Sequence, residues 1–362
     1  MSAVKKTPLA DRHAELGGKM VDFAGWWMPV QYKGLKEEHL HTRQAVGLFD
    51  VSHMGEVRVR GPQSLAALQW LTTNDVAKLE NGQAHYSLLL NADGGIVDDI
   101  IVYCLKKNED YLVCVNASNK DKDFQWMLKS NQGALITDES DQWGQIAVQG
   151  PKAIALLQKI FGKSQDFETA FRIYPTSWNQ SQIFIATTGY TGEKGAEIFV
   201  PAAQTVALWN LLLEAGQEFQ AEPIGLGARD TLRTEMKYSL YGHEIDDQIH
   251  PYQAGLGWVV KPSAKDFMGK QAALQRKETC QTKLVGFRLT DKGIPRQGYD
   301  VVSADGAKIG YVTSGTLSPS LGESIGIAYV PQNLAAVGSE ILIDIRGRKV
   351  SAKVVETPFV KK

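Results

Sequence analysis

The segment Asn91-Ala92-Asp93-Gly94-Gly95-Ile96-Val97-Asp98-Asp99-Ile100-Ile101-Val102 sets two adjacent carboxylates in an apolar run that follows a turn. Alternation along a strand sends Ile96, Asp98, Ile100 and Val102 to one face and Val97, Asp99, Ile101 and Tyr103 to the other. Both faces are otherwise apolar, so at least one carboxylate must lie close to a core. Burial tunes the pKa of such a group and makes it a candidate proton handler. The plainer alternative has both aspartates bound to turn amides or water.

A second constellation, Gly189-Tyr190-Thr191-Gly192-Glu193-Lys194-Gly195-Ala196-Glu197, has glycine at every third position, which lets backbone turn tightly or approach a flat ligand. A strand follows it rather than a helix, so it is not a dinucleotide fingerprint. Glu197 opens that strand beside Phe199 and heads into the core. A carboxylate held there can accept two parallel N–H donors, such as the amino-pyrimidinone edge of a guanine or pterin. The competing view is a solvated hairpin tip. Arg229 and Arg233 stand four apart on one helix face, with Asp230 able to pair Arg233. That spacing fits a salt-bridged surface helix, unless the helix lines a pocket where Arg229 would hold a ligand carbonyl or carboxylate.

Other signals are weak. Phe161-Gly162-Lys163-Ser164 ends like a P-loop, but Leu157 stands where the first glycine is required. His39 and His41 point to different faces of a helix and do not make a metal site. Ser52-His53 lacks the glycines of a nucleophile elbow. Trp26 and Trp27 are expected in the core or an interface.

These residues need a scaffold, and the pattern around them supplies one. Helices are expected over 35–46, over 62–71 after Gly61-Pro62, from near Pro223 to about Leu240, and after a linker within 263–276. Residues 86–90 and 96–105 form a hairpin around Asn91–Gly95, and 182–187 and 196–200 pair around the glycine-rich loop. From Leu284 to Val355 short β runs alternate with Gly-rich turns, the punctuation of a small antiparallel barrel or sandwich. At 362 residues the chain is too long for one core and calls for two or three domains.

Composition excludes several classes. Hydrophobic residues at 43% and charged residues at 22% fit a water-soluble globular protein. Lys plus Arg number 39 against 40 Asp plus Glu, a balance that argues against nucleic acid as the main partner. Cys104, Cys114 and Cys280 have neither metal-ligand spacing nor an even count and fit buried thiols in a reducing compartment. The N-terminal Met-Ser-Ala-Val-Lys-Lys-Thr-Pro lacks signal-peptide and transit-peptide character, and no run nears the ~20 apolar residues that span a bilayer. A cytoplasmic protein without membrane partners is expected.

Taken in order, the segments resemble the aminomethyltransferase family of glycine cleavage systems over nearly the whole chain. They include Phe23-Ala24-Gly25-Trp26, Leu48-Phe49-Asp50-Val51-Ser52-His53-Met54, Gly94-Gly95-Ile96-Val97-Asp98-Asp99 and Ala147-Val148-Gln149-Gly150-Pro151. They continue with Gly189-Tyr190-Thr191-Gly192-Glu193, Ala228-Arg229-Asp230, Tyr241-Gly242-His243-Glu244 and Pro358-Phe359-Val360. The resemblance implies an α+β, three-domain cloverleaf around a central folate channel, with a C-terminal antiparallel β-barrel domain. Its expected divisions are a discontinuous folate-binding domain of residues 1–50 and 140–260, a second of 51–139, and a barrel of 275–362. It implies tetrahydrofolate as co-substrate and a lipoyl-carrying H-protein as donor, with no metal, flavin or nicotinamide.

Residue by residue, Asp99 matches the family's catalytic aspartate and Glu197 the carboxylate that holds the pterin. Tyr190 and Arg229 match folate-site positions, and Tyr238 a tyrosine that some members use. Tyr86 and Met54 fall where pocket walls are expected. The chain ends at Val360-Lys361-Lys362, short of a tail contact found in some members, so that contact is not carried over. Two rivals remain: a folate module related to sarcosine and dimethylglycine oxidases, and a non-catalytic folate-binding factor for iron–sulfur assembly. The first needs flavin, and no Gly-x-Gly-x-x-Gly follows a strand. Asp98-Asp99 and Tyr241-Gly242-His243-Glu244 speak against the second.

Overall fold

A computed structural model describes residues 4–362; Met1–Ala3, the start of the stretch read for targeting signals, lie outside the described residues. The chain divides into two compact units, one of Met1–Ser87 with Ile100–Asp230 and one of Leu88–Asp99 with Thr231–Lys362. No helix among the described residues is long and apolar enough to cross a membrane.

The first unit holds a six-stranded sheet in the order Ile173–Trp178, Ser181–Ala186, Gly195–Pro201, Trp143–Gln149, Val46–Asp50, Ala221–Pro223. All neighbours are antiparallel except the last pair, which is parallel. Period-two alternation separates its residues cleanly. Val46, Leu48, Ile146, Val148, Ile183, Ile185, Ile198 and Val200 point to one face, where Leu156 and Leu157 of Ala153–Phe161 and Trp209 and Leu212 of Thr205–Ala215 cover them. Full burial of each such side chain stabilises the fold by about 1.5–3 kcal/mol. The opposite face carries Phe184, Ala186 and Phe199, which pack against Ala84, Tyr103, Leu112 and Cys114 of a second sheet. That sheet runs Ala84–Leu90, Ile96–Lys106, Asp110–Val115, Gly55–Arg60, Leu135–Asp138. A three-stranded sheet near the N-terminus places Trp26–Gln31 between Lys5–Lys6 and Lys19–Phe23.

The second unit contains a closed six-stranded barrel, Thr282–Leu289, Ser324–Pro331, Lys308–Leu317, Asp300–Val302, Glu340–Ile345 and Arg348–Val355, antiparallel throughout. Its interior is filled by Phe287, Val301, Val312, Val330, Ile343 and Val354, as a barrel of this size requires. Register shifts at Val301/Val302 and Val312/Ser314 supply the bulges that bend strands into a closed ring. Where Thr282–Leu289 faces Ser324–Pro331, a Cβ on Gly326 would lie 2.4 Å from the Phe287 ring, so only glycine fits.

Several expectations need correction at their ends. The helix expected from Pro223 to Leu240 is Leu226–Glu235: Pro223 closes a strand, and Lys237 takes a φ of 56°, which an α-helix cannot continue through. The helix expected over 35–46 stops at Gln44 because Val46 enters the six-stranded sheet. The helices expected at 62–71 and within 263–276 are Ser64–Leu71 and Lys270–Glu278. Trp26 is buried, whereas Trp27 is 37% exposed. Of the three thiols, Cys104 and Cys114 are buried and Cys280 is only half-buried.

Candidate active site

Glu197 lies at the centre of the inner face of the six-stranded sheet and is 9% exposed. In register it faces Ala147 on one side and Ala186 on the other. The residues directly across from it on both neighbouring strands are alanines, which offer the carboxylate no side-chain donor. Thr188 Oγ1 donates to Glu197 Oε2 at 2.5 Å and stands 3.0 Å from the Tyr103 hydroxyl of the facing sheet. With Thr188 donating to the carboxylate, Tyr103 must donate to Thr188. This is the one hydrogen-bond donor that Glu197 has among the described residues. Burial raises the Glu197 pKa, partly offset by Thr188 and by the charge of Arg229.

Arg229 projects from the helix Leu226–Glu235, and its guanidinium lies over the Tyr190 ring, 4.7 Å from the centroid. The start of that helix is set by Glu38, which is 1% exposed. Glu38 Oε2 accepts the Gly225 N–H at 2.7 Å, while Oε1 accepts the N–H groups of Tyr32, Lys33 and Gly34 at 2.6, 2.9 and 3.0 Å. A Cβ at Gly225 would sit 2.4 Å from the Val30 carbonyl oxygen, so the close approach needs glycine. The loop bearing Tyr190 is pinned as well: Thr191 Oγ1 donates to Gln149 Oε1 at 2.8 Å, and Arg43 pairs with Glu193 at 2.8 Å. The segment is therefore anchored on the sheet and is not a solvated hairpin tip.

The turn Val51–Met54 is fixed from below by Asp50. Its Oδ2 accepts Thr7 Oγ1 at 2.6 Å and meets His13 Nε2 at 2.9 Å, and its Oδ1 accepts the Ser52 N–H at 2.9 Å. His13 Nδ1 is in turn 2.7 Å from the Tyr32 hydroxyl. Burial pushes the Asp50 carboxyl up, but its bonds to His13, Ser52 and Thr7 outweigh that and hold it below the usual range. Above the turn, Met54 is half-buried against the cluster that includes Tyr103 and Phe199. His53 is buried, its Nδ1 has no hydrogen-bond partner, and burial and Arg229 push it down to about 4, so the ring is neutral near pH 7. Tyr86 is half-buried and alternates with Ala84 on the inner face of its strand.

Asp99 belongs to the second unit, in the hairpin segment Leu88–Asp99. That tip is clamped by backbone. Ile96 N donates to the carbonyls of Asp246 and Ile249 at 3.2 and 2.9 Å, and Asn91 Nδ2 donates to Asp247 O at 2.9 Å. A Cβ on Gly95 would lie 1.8 Å from the Asp247 oxygen, and one on Gly94, at φ 77°, 2.6 Å from Ala273 N. The two glycines exist because two other segments press on the turn. Asp98 is fully buried, while Asp99 is half-buried on the strand face it shares by alternation with Ile101 and Tyr103. Of the two carboxylates, Asp99 is the one that remains partly exposed.

Tyr238, also in the second unit, is 38% exposed just after the helix. Arg233, for which sequence spacing allowed Asp230 as a partner, is also held by residues beyond its helix. It forms a buried pair with Glu244 at 2.7 Å and also donates to the Tyr238 carbonyl at 3.2 Å. Within the first unit, then, Arg229 lies over Tyr190 and its charge is felt by Glu197, Met54 packs on the cluster of Tyr103 and Phe199, and Tyr86 shares a strand face with Ala84. Thr188, Tyr103 and His53 were not singled out for the site from the sequence. Ser52-His53 drew notice only as a failed nucleophile motif, and the roles of Thr188 and Tyr103 depend on pairing between distant strands.

The comparisons with known proteins decide the family. Residues 9–264 match the GCVT N-terminal domain, and residues 282–361 match the glycine cleavage T-protein C-terminal barrel domain. The chain belongs to the aminomethyltransferase family of glycine cleavage T-proteins. It is 63% identical over 360 residues to an aminomethyltransferase of Bdellovibrio bacteriovorus, covering 99% of this chain and 100% of that protein. An aminomethyltransferase of Chloroherpeton thalassium is 49% identical over 362 residues, 99% of each chain. The crystal structure of glycine cleavage system aminomethyltransferase T from Bartonella henselae superposes with a TM-score of 0.92 at 34% identity, covering 99% of this chain and 98% of that one. The mixed α+β architecture with its closed C-terminal barrel is thus the architecture of the family.

Proposed function

We propose that the chain transfers the methylene carbon of an aminomethyl-lipoyl group, carried by an H-protein, to tetrahydrofolate with release of ammonia. Full-length identity to aminomethyltransferases supports the transferase activity and the use of tetrahydrofolate. The observation that carries the ligand assignment is Glu197: a buried carboxylate with one donor among the described residues and alanines on both sides. The amino and N3–H groups of a pterin present the paired donors such an acceptor lacks. Tyr190 and Arg229 stack beside it, and Met54, Tyr86 and Tyr238 complete the proposed set.

The chemistry then follows from bond counting. The donor carbon is bonded to sulfur and to nitrogen; folate N5 displaces one bond and N10 closes the ring by displacing the other. The two N–H protons end on the lipoyl thiol and on ammonia. A carboxylate beside the reacting nitrogens moves a proton or stabilises cationic character as it develops. We assign that role to Asp99, the half-buried member of its pair. The segregation of the first unit's strands also supports reading residues 1–50 with 140–260, and residues 51–139, as two folate-binding domains beside a barrel domain of 275–362.

The test supplies aminomethylated H-protein, sarcosine or dimethylglycine separately, each with tetrahydrofolate. Methylenetetrahydrofolate is expected with the H-protein alone. Its formation from sarcosine would point instead to the oxidase-related rival.

A further inference from the structure

The second unit holds a polar cavity of about 190 Å³ at the C-terminal end of the helix Lys270–Glu278, where the chain enters the barrel. Its lining is chemically one-sided. Arg276 supplies a guanidinium, Gln253 and Thr282 supply neutral donors, and none of the lining side chains is acidic. Arg276 is held from one side, with Nη1 donating to the Asp93 carbonyl at 3.2 Å and Nη2 to the Gln248 carbonyl, which leaves further guanidinium N–H groups for another acceptor. Gln253 Nε2 donates to Thr282 Oγ1 at 2.7 Å, a bond that does not use the Thr282 hydroxyl's own proton.

His250 adds an independent observation. It is 3% exposed, it lines the cavity, and its Nδ1 has no hydrogen-bond partner. A buried polar nitrogen left without a partner is uncommon and calls for one. Burial and Arg276 push the ring down to about 4, so near pH 7 it is neutral and can offer a single N–H. A planar guanidinium with neutral donors around it and no competing carboxylate is matched by an oxyanion.

We propose that this cavity binds a small oxyanion, phosphate or carboxylate, between Arg276 and His250. This site is separate from Glu197 and does not depend on the folate assignment. Cys280 also lines it and serves as a built-in reporter, because Cys104 and Cys114 are buried at 0% and 6% exposure whereas Cys280 is half-buried.

The experiment uses the full chain. Binding of inorganic phosphate and, separately, of glutarate is measured by calorimetry at ionic strength matched with chloride. The rate of Cys280 modification by N-ethylmaleimide is followed by intact mass under the same conditions. Saturable binding of at least one anion is expected, with Cys280 labelling slowed several-fold over the same concentration range. The anion that protects identifies the source chemistry. Arg276→Gln should abolish both effects. Because Arg276 also braces the hairpin, Thr282→Val serves as the second variant and should weaken binding several-fold while the chain stays folded, as its melting transition shows. The absence of saturable heat with both anions would overturn the proposal. So would a Cys280 thiol that is inert without anion, or protection that chloride reproduces or that both variants retain.

Discussion

Two glutamates, Glu244 in the second unit and Glu197 in the first, are both buried, and they are treated in opposite ways. Glu244 is closed by the protein: Oε2 accepts Arg233 Nη1 at 2.7 Å and the Leu240 N–H at 3.0 Å, and Oε1 accepts Thr313 Oγ1 at 2.6 Å. Arg233 is completed by Ser314 Oγ at 2.8 Å. Thr313 and Ser314 sit at a barrel bulge, so the irregular register turns two hydroxyls toward the pair. Among the described residues Glu197 has Thr188 as its one hydrogen-bond donor, and the nearby Arg229 is engaged with the Tyr190 ring. A satisfied buried carboxylate holds structure. One left short of donors costs stability and waits for a ligand that brings them.

The sharpest test of that contrast is Glu244→Ala. Removing one partner of a buried ion pair strands the other, and a loss of roughly 3–5 kcal/mol is expected in urea unfolding. Full stability in that variant would erase the distinction. Asp99 is the half-buried member of its pair, and on the proposed mechanism Asp99→Asn should retain folate binding and lose ~10²-fold or more in turnover. If Asp98→Asn proves inactive while Asp99→Asn matches the parent, the catalytic assignment passes to the other member of the pair.

Glu197→Gln should weaken tetrahydrofolate binding by ~2–3 kcal/mol in calorimetry. Its effect on stability should have the opposite sign to Glu244→Ala. Because burial raises the Glu197 pKa, its ionisation is unfavourable to the folded state: its stabilising contribution is present below the unfolded value and is lost as pH rises through the folded value. Above that range the glutamine variant should unfold at equal or higher urea. Pterin donors favour the carboxylate, so binding should release a proton and tighten as pH climbs through the raised pKa, a trend absent from the variant. Thr188→Val removes one hydroxyl donor and should shift binding by about 1 kcal/mol. A larger loss than in Glu197→Gln would mean that Thr188 touches the ligand itself.

Much of this was legible in the chain. The hairpin at Asn91–Gly95, the paired strands around the glycine-rich loop and the turn-punctuated barrel stand where short-range patterns put them. Helix ends were less so, since Glu235 ends its helix through a backbone change at Lys237 that no local residue preference announces. Spacing makes Asp230 able to pair Arg233, but the buried pair of Arg233 with Glu244 is not legible that way, because the fold brings Glu244 in from beyond the helix.

Sequence alone determined which residues alternate, where turns fall, and that Glu197 and Phe199 share a face, because these follow from local sterics and a two-residue period. Only tertiary structure decided that Asp98 is buried and Asp99 accessible, and that Ala147 and Ala186 flank Glu197. It alone decided that Thr188 links Glu197 to Tyr103. Those facts depend on register between strands far apart in the chain. A one-residue slip would reverse every face, and a buried charge takes its character from whatever that register brings to it.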